Sequence, residues 1–138
     1  MNMFQIGLIF SALLCALVAG LVFTFAIVVM PGLRTMADCE YLRAFKAMDR
    51  VIQDNQPIFM LVWLGSVVAV LGTTVMGISR LDGLDRFLLI TASAIYVFGV
   101  HLPTVLINVP INNQLQAQPL DALSEIELRS LTETYETR

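Results

Sequence analysis

One stretch of this sequence gathers side chains able to do chemistry inside an otherwise apolar segment. It runs His101-Leu102-Pro103-Thr104, then Asn108-Val109-Pro110-Ile111-Asn112-Asn113. At about 100° per residue, His101, Thr104, Asn108 and Asn112 fall on one face of a helix. A histidine titrates near neutral pH and can act as a general base. Carboxamides can donate to an oxygen that is gaining negative charge. Pro103 and Pro110 each remove a backbone donor, which predicts an irregular helix beside the polar stripe. The competing reading of the same residues is that they tie helices together by interhelical hydrogen bonds.

His101 is the only histidine, and the two cysteines, Cys15 and Cys39, show no CxxC spacing. Bis-histidine haem, a three-histidine zinc or copper site and a two-histidine facial triad therefore cannot be completed by one chain. No metal and no cofactor are expected from these residues, and no disulfide. Arg50 lies among Asp49, Asp54 and Asn55. Its guanidinium could pair a carboxylate or stabilise an anionic oxygen, or could simply be solvated. The candidate catalytic set is thus His101, Asn108, Asn112 and Arg50.

These residues must be positioned by membrane helices. The chain of 138 residues is 57% hydrophobic and only 14% charged, against roughly 25% charged in soluble domains. Ile6–Met30, Pro57–Ile78 and Phe87–Val109 hold no Asp, Glu, Lys or Arg. About 20 apolar helical residues cross a hydrocarbon core roughly 30 Å thick, so each is long enough to span. The first is too long for the apolar part of a signal peptide, no Lys or Arg precedes it, and it is expected to be retained. The fold expected is an all-α polytopic bundle forming a single membrane domain over 1–138, in the plasma or inner membrane.

The connections carry their own signals. Asp82-Gly83 marks a tight turn in the short loop Ser79–Arg86, making the second and third spans an antiparallel hairpin. Pro31-Gly32 is expected to stop the first span, with Thr35 capping a new helix over about 36–54. There Tyr41, Phe45, Met48 and Ile52 form an apolar stripe, the pattern of an interfacial amphipathic helix. Asn55 fits its end and Pro57 fits the start of the next span. Ser124 with Glu127 is a capping box opening a helix over about 125–137, which no Gly, Asn or Pro closes. Basic residues favour a cytoplasmic first connection and tail. In either orientation, that connection and the end of the third span share one side of the membrane.

Small residues recur in Ala12, Ala16 and Gly20 and in Gly65, Ala69 and Gly72. They predict close helix contacts in a tight bundle, a homo-oligomer or a larger membrane complex. Trp63 suits an interfacial belt or a pocket wall. The net charge of −3 arises in the last 18 residues. With no basic run, nucleic acid is not an expected partner.

The sequence resembles the anthrone oxygenase-like family of small integral membrane proteins. The resemblance runs through Phe45-x-x-Met48-Asp49-Arg50, then Asn55-x-Pro57-x-Phe59 and Gly65, and resumes in Asn108-Val109-Pro110-x-Asn112-x-x-Leu115. Asp49 departs from the pattern, since family members often have Asn there. The fourth span usual in the family does not appear in this sequence, which implies a natural chain that continues beyond Arg138; the alternative reading of the unclosed last helix is a frayed amphipathic tail. The resemblance implies a cofactor-independent oxygenase of lipophilic aromatic compounds. Such chemistry needs a base and oxyanion donors, for which the residues offer His101 as base, Asn108 and Asn112 as donors and Arg50 as electrostatic stabiliser. The alternative is a non-catalytic bundle that binds lipid or a quinone-like ligand, or serves as an accessory subunit.

Overall fold

The structure, a computed structural model, describes residues 1–136. It is all-α, with no strand among the described residues. Three helices are long and apolar enough to cross a membrane: α1 (Met3–Leu33), α3 (Pro57–Ile78) and α4 (Gly83–Ala117). Between and after them lie α2 (Asp38–Gln53) and α5 (Glu125–Glu136). The end of the last helix expected at Thr137 falls outside the described residues.

Three π-helical turns interrupt the long helices: Phe25–Val29 in α1, and Val97–His101 and Thr104–Asn108 in α4. Each ends two residues before a proline, namely Pro31, Pro103 and Pro110. In each, the residue preceding the proline donates its N–H to the first carbonyl of the π turn. Met30 donates to Phe25, Leu102 to Val97 and Val109 to Thr104. A helical proline offers no N–H and its ring crowds the carbonyl four residues back. A wider turn absorbs that crowding without breaking the helix.

This corrects two expectations from sequence. Pro31-Gly32 does not stop the first helix, which runs on to Leu33. Thr35 does not cap the next one either. Its hydroxyl donates back to the Gly32 carbonyl at 2.8 Å, and α2 begins after Ala37. Other boundaries move by less. Asn55 ends α2 with a positive φ of 57°, and Gly83 takes φ 53° in the turn between α3 and α4. The third span starts at this glycine rather than at Phe87.

By packing, the chain divides into two compact units. One comprises Met1–Gly20 with Pro57–Val109, the other Leu21–Gln56 with Pro110 onward. The first unit has the pattern of a protein solvated by lipid: small and polar side chains face inward and large apolar ones outward. Ser11, Ser66, Thr73 and Ser93 are buried, while Phe10, Leu61, Val75 and Phe98 are exposed. Ser11 and Thr73 hydroxyls bond each other at 3.0 Å, and Thr74 and Ser93 do so at 2.6 Å. These bonds select the contact faces, because an unpaired hydroxyl is costly in hydrocarbon. The faces used are Gly7, Ser11, Leu14 and Val18 on α1 and Ser66, Val70, Thr73 and Gly77 on α3. Of the small-residue stripes read from sequence, Gly65 and Ala69 are partly buried, Gly65 beside Leu14 of α1, whereas Ala12, Ala16, Gly20 and Gly72 are exposed, a correction at those four positions.

The second unit has a water-type core. Tyr41, Leu42 and Phe45 of α2 pack with Leu33, Leu115, Leu120, Leu128 and Tyr135. The α2 stripe holds for Tyr41, Phe45 and Met48 but fails at Ile52, which is 38% exposed. The α5 helix opens with the expected capping box: Glu127 accepts from the Ser124 N–H at 2.8 Å and from its hydroxyl at 2.7 Å.

Candidate functional site

Two polar clusters stand out, one in each unit. In the first, His101 closes the π turn Val97–His101 and is buried. Its ring lies 4.6 Å from the Trp63 ring and 4.8 Å from the Tyr96 ring, centroid to centroid. Phe59 stacks on the far side of this array, 5.6 Å from Trp63 with an interplanar angle of 15°. Trp63 therefore forms a wall beside the histidine.

Both imidazole nitrogens face backbone carbonyls. Nδ1 lies 3.5 Å from the Tyr96 oxygen, and Nε2 lies 3.4 Å from the Trp63 oxygen. A neutral imidazole carries one N–H and one lone pair, so it satisfies one of these carbonyls and turns a lone pair toward the other. Only the doubly protonated ring donates to both. The Trp63 carbonyl also accepts the Ser66 hydroxyl at 2.7 Å, and Ser66 in turn accepts from the Tyr96 hydroxyl at 2.8 Å.

In the second unit, Asp49 is buried on α2. One carboxylate oxygen accepts Asn112 Nδ2 at 2.7 Å; the other accepts Gln53 Nε2 at 2.6 Å and Gln116 Nε2 at 2.8 Å. Gln116 also donates to the Lys46 carbonyl at 2.8 Å. Three amides thus surround one carboxylate. This fits the requirement that the first connection and the end of the third span share one side.

The sequence-derived candidates fare differently. His101 is buried and Thr104 partly so, with the Thr104 hydroxyl donating to the Val100 carbonyl at 2.7 Å. Asn108 is exposed, not turned inward with His101. The cause is the second π turn, Thr104–Asn108: a wider turn breaks the 100° phase on which the single stripe was drawn. Asn112 belongs to the second unit and is committed to Asp49. Arg50, its neighbour in sequence to that carboxylate, is exposed.

Sequence reasoning missed Ser66, Tyr96, Gln53 and Gln116. A signal existed for three of them. Gln53 and Gln116 follow Asp49 and Asn112 by four residues, and Ser66 follows Trp63 by three, so each shares a helical face with a residue already singled out. Tyr96 carried no such mark, because its link to His101 depends on the π turn between them.

The fold and these clusters define a polytopic helical membrane protein with a histidine enclosed by aromatic side chains. The family model for anthrone oxygenase matches residues 45–137, from the middle of α2 through α3, α4 and α5. The chain belongs to the anthrone oxygenase family. Comparisons with curated proteins and with solved structures give no match.

Proposed function

We propose that this protein is a membrane-embedded, cofactor-independent oxygenase of lipophilic aromatic compounds, resident in the plasma or inner membrane. The observation that carries this reading is the setting of His101: buried, flanked by Trp63 and Tyr96, with a carbonyl oxygen opposite each ring nitrogen. Membership of the anthrone oxygenase family supplies the substrate class.

The chemistry suits such a residue. The methylene of an anthrone is acidic, because its carbanion is delocalised into the ketone as an enolate. For the lone pair of the neutral His101 ring to take that proton, it must turn from the carbonyl it faces toward the substrate methylene. The electron-rich carbanion then reacts with O₂ to give a peroxide anion, which takes the proton back from the imidazolium. The resulting hydroperoxide loses water to leave a second carbonyl. Overall, one CH₂ and one O₂ become one C=O and one H₂O, with O₂ as the oxidant. On returning to the orientation seen in the structure, the imidazolium formed in the first step donates to both carbonyls, whose oxygens stabilise its charge. Apolar surroundings exclude water from the carbanion. Of the other candidates, Asn108 lies off the His101 face, Asn112 holds Asp49 and Arg50 is exposed, so none of the three has an assigned step.

The test is oxygen uptake and anthraquinone formation by purified protein in lipid nanodiscs supplied with anthrone, against empty nanodiscs that report spontaneous oxidation. Wild type should exceed the empty control, and His101→Gln should fall to it while keeping its helical spectrum. Equal rates in wild type and empty nanodiscs would overturn the oxygenase reading in favour of a non-catalytic ligand-binding or accessory bundle.

A further inference from the structure

Tyr96 meets His101 in three ways. Its ring packs on the imidazole, its carbonyl faces Nδ1, and its hydroxyl reaches the other side of the histidine indirectly. That indirect route runs from the Tyr96 hydroxyl to Ser66 Oγ (2.8 Å), from Ser66 to the Trp63 carbonyl (2.7 Å), and from that carbonyl to His101 Nε2 (3.4 Å). The contacts close a loop that begins and ends at Tyr96. Ser66 is fully buried and uses its hydroxyl as donor and acceptor at once.

We propose that Tyr96 and Ser66 are positioning residues that fix the orientation of the His101 ring by clamping α3 to α4 at the Trp63 carbonyl. Two features argue for a specific device over general helix packing. A carbonyl in a regular helix already accepts a backbone N–H, so the Ser66 hydroxyl and His101 both address its remaining capacity. Where that hydroxyl points therefore bears on how the imidazole is held. Moreover, His101 sits in a π turn, where the backbone register is not fixed by the regular helical ladder. Its side-chain direction then depends more on its neighbours. The Thr74–Ser93 hydroxyl pair joins the same two helices without touching this loop, and so provides an internal control.

The orientation follows from geometry alone, whereas its catalytic use rests on the oxygenase reading. Because His101 is the only histidine, imidazole ¹⁵N labelling of the full chain in nanodiscs gives one pair of ring signals. Their shifts report which nitrogen bears hydrogen and what it bonds. Tyr96→Phe and Ser66→Ala should each displace those signals, and the double variant should displace them no further than either single one, since both act through one path. Ser93→Ala should leave them at their wild-type positions. Unchanged signals in Tyr96→Phe, or an equal displacement in Ser93→Ala, would overturn the proposal. Tyr96→Phe keeps the ring and the backbone carbonyl, so it decides the question alone if Ser66→Ala fails to fold. In the anthrone assay, Tyr96→Phe should lower kcat with KM unchanged. Displaced signals in a protein without turnover would sustain the positioning role and defeat the oxygenase reading; turnover with undisplaced signals would do the reverse.

Discussion

The amide of Asn112 donates to the carboxylate of Asp49 at 2.7 Å, joining residues 63 apart in sequence. With Gln53 and Gln116 on the other oxygen, this carboxylate is the common acceptor for amides from α2 and α4. Each buried donor left without an acceptor costs about 1–3 kcal/mol. Asp49→Ala should therefore destabilise the second unit more than Asn112→Ala, which removes one donor of the three. Asp49→Asn replaces an acceptor with a further donor facing donors. Adding Asn112→Asp to it should restore part of the loss, because donor and acceptor are exchanged within the pair. Thermal unfolding in detergent followed by circular dichroism would check the order. Independent, additive losses in the double variant would contradict it.

How much of this was legible beforehand depends on whether helical phase was preserved. The spans, the turn at Gly83, the Asn55 terminator and the Ser124–Glu127 box rest on local chemistry and could be read directly. Residues joined through regular helix were also placed well, as with Tyr41 and Phe45 in one core. The errors gather where prolines meet long helices. There the chain inserted π turns instead of stopping, so Leu33 remained helical and Asn108 left the face of His101. The small residues Ala12, Ala16, Gly20 and Gly72 misled for another reason. Buried hydroxyls at Ser11 and Thr73 needed each other more than alanines and glycines needed contact.

The capping box of α5 carries a pH dependence. Hydrogen bonds from the Ser124 hydroxyl and backbone hold the Glu127 carboxyl below its ordinary value of 4.5. A carboxyl depressed on folding stabilises the helix above its unfolded value, and that contribution disappears as pH falls through the lower folded value. Amide hydrogen exchange at the start of α5 should accelerate, relative to the intrinsic rate, on acidification from pH 5 through that lower value. Glu127→Gln still caps but does not titrate, so its protection should stay flat over the same range. A matching acid-induced loss in Glu127→Gln would assign the effect to another group.

Pro103 provides a test of the link between proline and π turn. Replacing it with Ala restores an N–H where the proline ring had crowded the preceding turn. Val97–His101 should then tighten toward regular α-helix and carry His101 away from the single tryptophan, whose ring lies 4.6 Å from the imidazole. Contact with imidazole quenches indole emission. Both Pro103→Ala and His101→Gln should brighten Trp63, while Pro119→Ala, beyond α4, should not. Wild-type emission from Pro103→Ala would show that the π turn persists without its proline.

Gly77 and Gly72 lie on the same helix in opposite circumstances. A Cβ built at Gly77 would overlap the Leu89 side chain, which is partly buried, and stand 3.0 Å from the buried Phe4 ring. At Gly72 nothing lies within 4 Å. Gly77→Ala therefore forces the neighbours apart, an overpacking change that costs about 1–3 kcal/mol. Gly72→Ala meets no such resistance and exchanges a poor helix former for the best one, which favours the folded state by up to about 1 kcal/mol. The two substitutions are chemically identical and five residues apart, so any difference between them measures packing rather than composition. Thermal midpoints in one detergent should fall for Gly77→Ala and hold or rise for Gly72→Ala. A lower midpoint for Gly72→Ala would place that face of α3 against a partner, and would make the exposed stripe an interface between chains.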